Sequence, residues 1–407
     1  MEKKECKGLR FVVLTYAVSR LFYLIVGAVL AEVIAPSQLQ PLTLDEPSGT
    51  ANIWSHFDGE HYIMLALNGY QQHPYVEAFN DESHYGSPAF FPLYPLVMRS
   101  VALVFGGPMT VGTLSLWGVL ISLLAFPFAL YFVYRIAEDG WGARAAQGTV
   151  LTLAFFPTSF FFNAVYTESL FLAFSAGAVW ASRVRRDLLL AGILAGLATA
   201  TRNVGIFLLI PLTYEWLKGV SHYRWRGAYL LIVPSGLIAY MSYLWWRFSD
   251  PLILFKEQEK WGRQATDPLV TLKNAWEQAY AGVEWVLSPQ VRTEPSLGRI
   301  MDCPCSWQNT YNIMFLGLAV TLLLIGLRVL PLDLSAYAFV AGVLPTFFGA
   351  PDAPLFSLPR LLLVAFPLFI VLGVLLKNRW TLAGWLIPSA AGSLVFCTLF
   401  ISWRFVA

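Results

Sequence analysis

The sequence predicts an all-α polytopic integral membrane protein, with about eleven transmembrane helices forming a single domain over residues 1–407. Three observations carry that prediction. First, 57% of the chain is hydrophobic and only 13% is charged, against roughly 25% charged in a soluble domain; the mean hydropathy is +0.59. Second, apolar runs recur along nearly the whole sequence, leaving no room for a separate soluble domain. Most approach the roughly 20 residues needed to cross a hydrocarbon core about 30 Å thick. Third, the basic clusters between these runs all fall on one side of the membrane when the runs are counted as spans. Lipid offers the backbone no hydrogen-bond partners, so the spanning elements should be helices. A barrel would need alternating segments of about ten residues, and these runs are continuously apolar.

In chain order, Lys3, Lys4, Lys7 and Arg10 precede the first run, 10–33. By the positive-inside rule the N-terminus is cytoplasmic, and the run reads as a retained signal anchor. Pro36–Ser87 follows with seven acids (Asp45, Glu46, Asp58, Glu60, Glu77, Asp81, Glu82) and no Lys or Arg. It is therefore outside, and the outer loop 36–110 is the expected catalytic region. Within it, Ala89–Gly106 is apolar enough to span, but counting it would put Arg183–Arg186 and Lys218–Arg226 outside. Pro88, Pro92 and Pro95 suit a re-entrant or surface-lying helix there.

The remaining spans are 111–134, 145–162, 167–182, 188–201, 203–217, 227–246, 311–328, 334–350, 360–376 and 381–403. They leave Arg135/Arg144, Arg183/Arg185/Arg186, Lys218/Arg224/Arg226, Arg328 and Lys377/Arg379 on the cytoplasmic side. Two short helices meeting at Thr201-Arg202-Asn203 account for 188–217. The outer loop 248–310 is accessory; Leu269, Leu272, Trp276, Tyr280 and Val283 recur there at the spacing of an interfacial helix.

The four cysteines (Cys6, Cys303, Cys305, Cys397) form no disulfide framework, and Cys303-Pro-Cys305 reads as an incidental loop pair. A net charge of +2 gives no reason to expect a nucleic-acid partner. Chemistry concentrates in Trp54-Ser-His-Phe-Asp-Gly-Glu-His-Tyr62, followed by a helix-like run to Asn68-Gly69-Tyr70. Asp58 can cap that helix and Gly69 can end it. Alternatively, Asp58 is a general base at the membrane surface, in a loop without cationic partners that would depress its pKa. His56, His61, His73 and His84 share this loop, and such a cluster can hold a divalent metal. No pair has a zincin spacing, so hydrogen-bonding or solvated histidines are expected and no metal cofactor is assigned. Ionisable residues at membrane depth are functional candidates. Arg202, at the junction of two short helices, and Arg360, opening a span after Leu358-Pro359, can each clamp a phosphate bidentately or anchor a headgroup. Arg20 lies within the first span, with no evident partner. Glu168 is either a helix N-terminal acid or part of the site.

Phe57-Asp58-Gly59-Glu60-His61, Gly69-Tyr70, Ala89-Phe-Phe-Pro-Leu-Tyr-Pro95, Tyr166-Thr-Glu168-Ser-Leu170 and Ala200-Thr-Arg202-Asn203-Val-Gly205 together resemble the GPI mannosyltransferase II family, prokaryotic relatives included. The likeness runs in register to about Gly205, with a weaker echo at Pro359-Arg360-Leu-Leu. Phe57 stands where the family usually has Trp, and Val204 widens the usual Arg-Ser/Asn-Gly spacing. The resemblance implies a GT-C-like bundle and a metal-independent, inverting transfer of a sugar, mannose foremost, from a polyprenyl-phosphate donor. The acceptor would be a lipid-linked or glycan hydroxyl on the non-cytoplasmic face. Asp58 would be the base, and Arg202 and Arg360 would bind the donor phosphate. Glu168, His61, Trp54, Tyr62, Tyr94 and Asn203 would contact substrates. A prokaryotic plasma membrane is the expected setting, with membrane lipids as the other partners. A polyprenyl-lipid flippase is the alternative, though no repeat of the kind that marks transporter folds is present. A membrane scaffold, a transferase of another sugar, or one acting on protein are the others.

Overall fold

The computed structural model describes residues 2–33, 52–70, 87–105, 107–219, 224–263, 266–293, 308–349, 354–404 and 406. Cys303, Cys305, His73, His84 and the acids Asp45, Glu46, Glu77, Asp81 and Glu82 lie outside the described residues. Among those described, every regular element is a helix and there is no strand.

Helix α1 (Glu2–Val33) carries Arg20 inward, 2% exposed. Its guanidinium donates to Ser159 O and Ala154 O, both at 2.9 Å, and to Asn163 Oδ1 at 2.7 Å. Neutral acceptors, with Phe126 4.4 Å away under the guanidinium, therefore compensate this buried charge. The helices that follow are α2 (Asp58–Asn68), α3 (Leu93–Phe105), α4 (Val111–Trp141), α5 (Ala143–Ala154), α6 (Glu168–Arg183), α7 (Leu188–Thr201) and α8 (Leu209–Lys218). Then come α9 (Arg224–Phe248), α10 (Pro268–Val286), α11 (Gln308–Val329), α12 (Leu332–Phe347), α13 (Leu358–Val364), α14 (Phe366–Leu375) and α15 (Arg379–Ile401).

Five of these, α1, α4, α9, α11 and α15, are long and apolar enough to cross a membrane, making this an integral membrane protein. A sixth span results if α13 and α14, bent by 81° at Ala365, are one crossing. The other segments predicted to span are helical but shorter. Segment 89–106 contributes α3, whose 13 residues rise only about 20 Å. Arg99 on α3 caps α2, donating to Ala66 O and Leu67 O at 2.7 and 2.8 Å.

The core is built where α4, α5, α6, α7 and α14 pack together, and small residues set the closest approaches. A Cβ on Gly148 of α5 would come within 3.0 Å of Gly373 Cα on α14. On Gly236 of α9 it would sit 2.2 Å from Gly196 O of α7, so only glycine admits these crossings. Helix α10 turns Ala275, Ala279 and Gly282 toward α11 and leaves Leu269, Trp276, Tyr280 and Val283 exposed. The predicted apolar stripe is thus its outward face. Leu272 instead packs against the core.

Helix α6 orients the molecule. Its first residue, Glu168, belongs to the site described below. Its last, Arg183, lies roughly 22 Å away along the helix, ion-paired with Glu215 at 2.8 Å and Asp333 at 2.6 Å. Arg186 and Lys218 join that second cluster through Glu215. The site and the basic cluster therefore occupy opposite ends of the bundle.

Candidate active site

A cavity of about 980 Å³ opens between the start of α2, the α7–α8 junction, the segment before α10, α12 and α13. Its polar wall begins with Asp58. Phe57 precedes it with φ 59° and ψ −118°, a conformation costing a non-glycine residue about 1–3 kcal/mol. The segment is held there from both sides. Val165 N donates to Trp54 O at 2.9 Å, and Tyr166 Oη donates to His56 O at 3.0 Å. His56 stacks on Trp403 with ring centres 4.1 Å apart, and Phe57 packs edge-on to the same indole. Buried among these rings, His56 is pushed down to about 4, its bond to Phe400 O opposing the shift only in part.

Two expectations about Asp58 are overturned. It does not cap α2: Phe57 holds the N-cap position, and no side-chain cap forms. Nor is it without a cationic partner, because Arg360 Nη1 donates to Asp58 Oδ2 at 2.5 Å. Burial pushes the Asp58 carboxyl up, but the Arg360 charge and hydrogen bond outweigh it and hold the group below its ordinary 3.8.

Arg360 reaches this point because Ser357, at φ 64°, turns the chain into α13 and because Thr158 Oγ1 donates to Pro359 O at 2.9 Å. Its guanidinium lies 5.2 Å from the Tyr166 ring centre, and its Nε is 3.5 Å from Glu168 Oε1. The same Glu168 oxygen accepts from Arg202 Nη1 at 2.7 Å. Glu168 is 1% exposed, so the two arginines neutralise a charge that water cannot reach. Asp58, Arg360, Glu168 and Arg202 thus form one ionic chain drawn from four distant segments. Glu168 is both the first residue of α6 and the centre of that chain.

Of the other sequence candidates, His61, Tyr62 and Asn203 line the cavity together with Asp58, Arg202 and Arg360. The His61 ring stacks on Phe90 at 4.5 Å. Glu168, Trp54 and Tyr94 are not in the lining. Trp54 fills the notch at Gly27 of α1, where a Cβ would come within 2.4 Å of its ring. Tyr94, fully buried, donates to Gly118 O at 2.8 Å. Among the described residues no group of three or more His, Cys, Asp or Glu side chains is placed to hold a metal.

One residue escaped the sequence analysis. Arg263 lines the cavity from the segment before α10. Burial, followed by repulsion from Arg360, lowers it to about 10, with Asp58 acting in the opposite sense. A lone arginine after Trp261-Gly262 has no spacing that would single it out. Its only signal was that it is basic in a loop predicted to be outside.

A curated relative, the GPI mannosyltransferase 2 of Drosophila pseudoobscura pseudoobscura, is 29% identical over 138 residues, 33% of this chain. That alignment spans only 27% of the relative's length. Among solved structures, ArnT from Cupriavidus metallidurans bound to undecaprenyl phosphate is similar at a TM-score of 0.49 and 14% identity, over 97% of this chain and 76% of ArnT. The Archaeoglobus fulgidus oligosaccharyltransferase AglB, in complex with an inhibitory peptide and a dolichol-phosphate, is similar at 0.43 and 11% identity, over 98% and 56%. The family model described as Mannosyltransferase (PIG-V) matches residues 8–220, more than half of the chain and including Asp58, Glu168 and Arg202. On that match the protein belongs to the PIG-V mannosyltransferase family.

Proposed function

We propose that this protein transfers a sugar, mannose foremost, from a polyprenyl-phosphate carrier to a hydroxyl of a lipid-linked or glycan acceptor, with inversion, on the outer face of the membrane. The observation that carries this reading is an ionised carboxylate in the wall of a cavity large enough for a sugar and its carrier headgroup. Arginine 360 keeps Asp58 in the unprotonated form that a base requires. The acceptor oxygen forms its bond to the anomeric carbon as its proton passes to Asp58. The bond from that carbon to the phosphate oxygen breaks on the opposite face, and its electron pair leaves with the phosphate. A phosphate leaves readily as an anion, so no general acid is needed.

The fixed charges of Arg202 and Arg360 favour the charge developing on the phosphate, and no metal is needed in this scheme. Glu168 keeps both arginines in register from behind. His61, Tyr62 and Asn203 are placed to contact the bound sugar or acceptor. The basic cluster of Arg183, Arg186 and Lys218 at the far end of α6 supports an outward-facing site, since such clusters favour the cytoplasmic side.

The test is transfer from radiolabelled polyprenyl-phosphate mannose to a membrane lipid extract, with EDTA present, by wild type and Asp58→Asn. Wild type should transfer label, and the variant should be slower by about 10²–10⁴-fold. A fully active Asp58→Asn protein overturns the assignment of the base.

A further inference from the structure

Three guanidinium groups line the cavity, but the carboxylates bonded to them number two. Asp58 engages Arg360, and Glu168 engages both Arg360 and Arg202. Arg263 engages neither. Its Nη1 donates to Gln258 Oε1 at 3.0 Å, and its guanidinium lies 5.0 Å from the centre of the Phe356 ring. Among the described residues it makes no ion pair. The lining also holds the carboxylates of Glu60 and Glu259. Arg263 is a partly buried cation beside a neutral amide and an aromatic ring, and among the described residues no carboxylate is bonded to it. Such a charge is expensive to hold without a counter-ion.

Arg360 is bonded to Asp58 and, with Arg202, to Glu168, so the charge of both is already partly met within the protein. Arg263 comes from another part of the chain and is bonded to neither carboxylate. Leu254, Phe255 and Phe356 line the same cavity and offer apolar surface to a carrier lipid.

We propose that Arg263 binds the phosphate of the lipid-linked donor, its guanidinium, bonded to no carboxylate among the described residues, pairing with the single charge of a phosphodiester. This rests on the transferase reading above and goes beyond it by adding to Arg202 and Arg360 a phosphate-binding residue from the second outer loop.

The experiment compares binding of undecaprenyl phosphate, undecaprenol and inorganic phosphate to full-length wild type, Arg263→Gln and Arg263→Lys in detergent. Wild type should prefer the phosphate over the alcohol by about 10- to 100-fold, the worth of one charge-assisted hydrogen-bonded pair. Arg263→Gln should lose that preference and Arg263→Lys keep part of it, with equal binding of the alcohol by all three showing that the cavity is intact. A glutamine variant that retains the full preference overturns the inference and leaves the transferase reading standing. A wild type without any preference overturns both. Displacement by inorganic phosphate at equal concentration shows a free-phosphate site and overturns the lipid-linked donor as its occupant.

Discussion

Replacing Arg360 by Gln tests the ionic chain at its most informative link. Arg360 is 6% exposed, and in the variant Glu168 keeps Arg202 at 2.7 Å. The loss therefore falls on Asp58, which has no other ion-pair partner among the described residues. Removing one member of a fully buried pair costs about 3–5 kcal/mol. The Asp58 side chain is 27% exposed, so water offsets part of this and about 2–3 kcal/mol is expected. Adding Asp58→Asn removes the stranded charge. The double variant should then be less destabilised than the sum of the two single changes by about 2 kcal/mol, a coupling expected of residues in contact. Unfolding free energies of the four proteins, from denaturing-detergent titration followed by the fluorescence of the chain's 15 tryptophans, give the cycle directly. Additivity to within about 0.5 kcal/mol would refute the coupling.

Three further predictions concern pH and packing. With Asp58 held below 3.8, the kcat/KM of wild type should stay level as pH falls toward that value and drop only when the base protonates. In Arg360→Gln burial acts unopposed by that arginine, so the drop should begin at higher pH, and an acid limb that does not move argues against Arg360 as its cause. His56, ordinarily 6.5 and held to about 4, binds a proton more readily in the unfolded chain. It therefore contributes stability above pH 6.5 that is lost as pH falls from 6.5 toward 4, about 3 kcal/mol in all; His56→Gln should flatten that part of the stability profile. A Cβ on Gly205 would lie 2.7 Å from Ala198 C and Thr199 N, backbone that cannot yield. Gly205→Ala should cost about 1–3 kcal/mol or more in a melting assay, while Gly384→Ala, with nothing within 4 Å, should be neutral or slightly stabilising.

Local features of the sequence translated well into structure. Gly69 ends α2 at φ 72°, with its N–H on Leu65 O, as its place after Asn68 implied. Arg202 does sit at a break, in extended backbone between α7 and a 3-10 turn. What stayed hidden was partnership across the chain. The acidic loop looked free of cations because its cation is encoded in the final quarter of the sequence. Arg20 looked unpartnered because its partners are carbonyls and neutral side chains at 154–163, which no charge pattern reveals. Glu168 could be read as a helix-start acid or a site residue, and the fold makes it both. Among the described residues five helices are long and apolar enough to cross, or six if the bent pair is one crossing, and the other expected spans are shorter helices. The 81° bend at Ala365 falls where Pro367 opens α14.

Asp58 and Arg360 stand 302 residues apart in the chain, which bears on how the protein is made. During synthesis the segment around Asp58 leaves the ribosome long before α13 exists, so a nascent chain made as far as α12 carries the carboxylate without its arginine. Carboxylate and counter-charge meet only after nearly nine-tenths of the chain has been made. The ion pair is therefore closed by the last steps of synthesis, and a chain stalled earlier carries Asp58 without it.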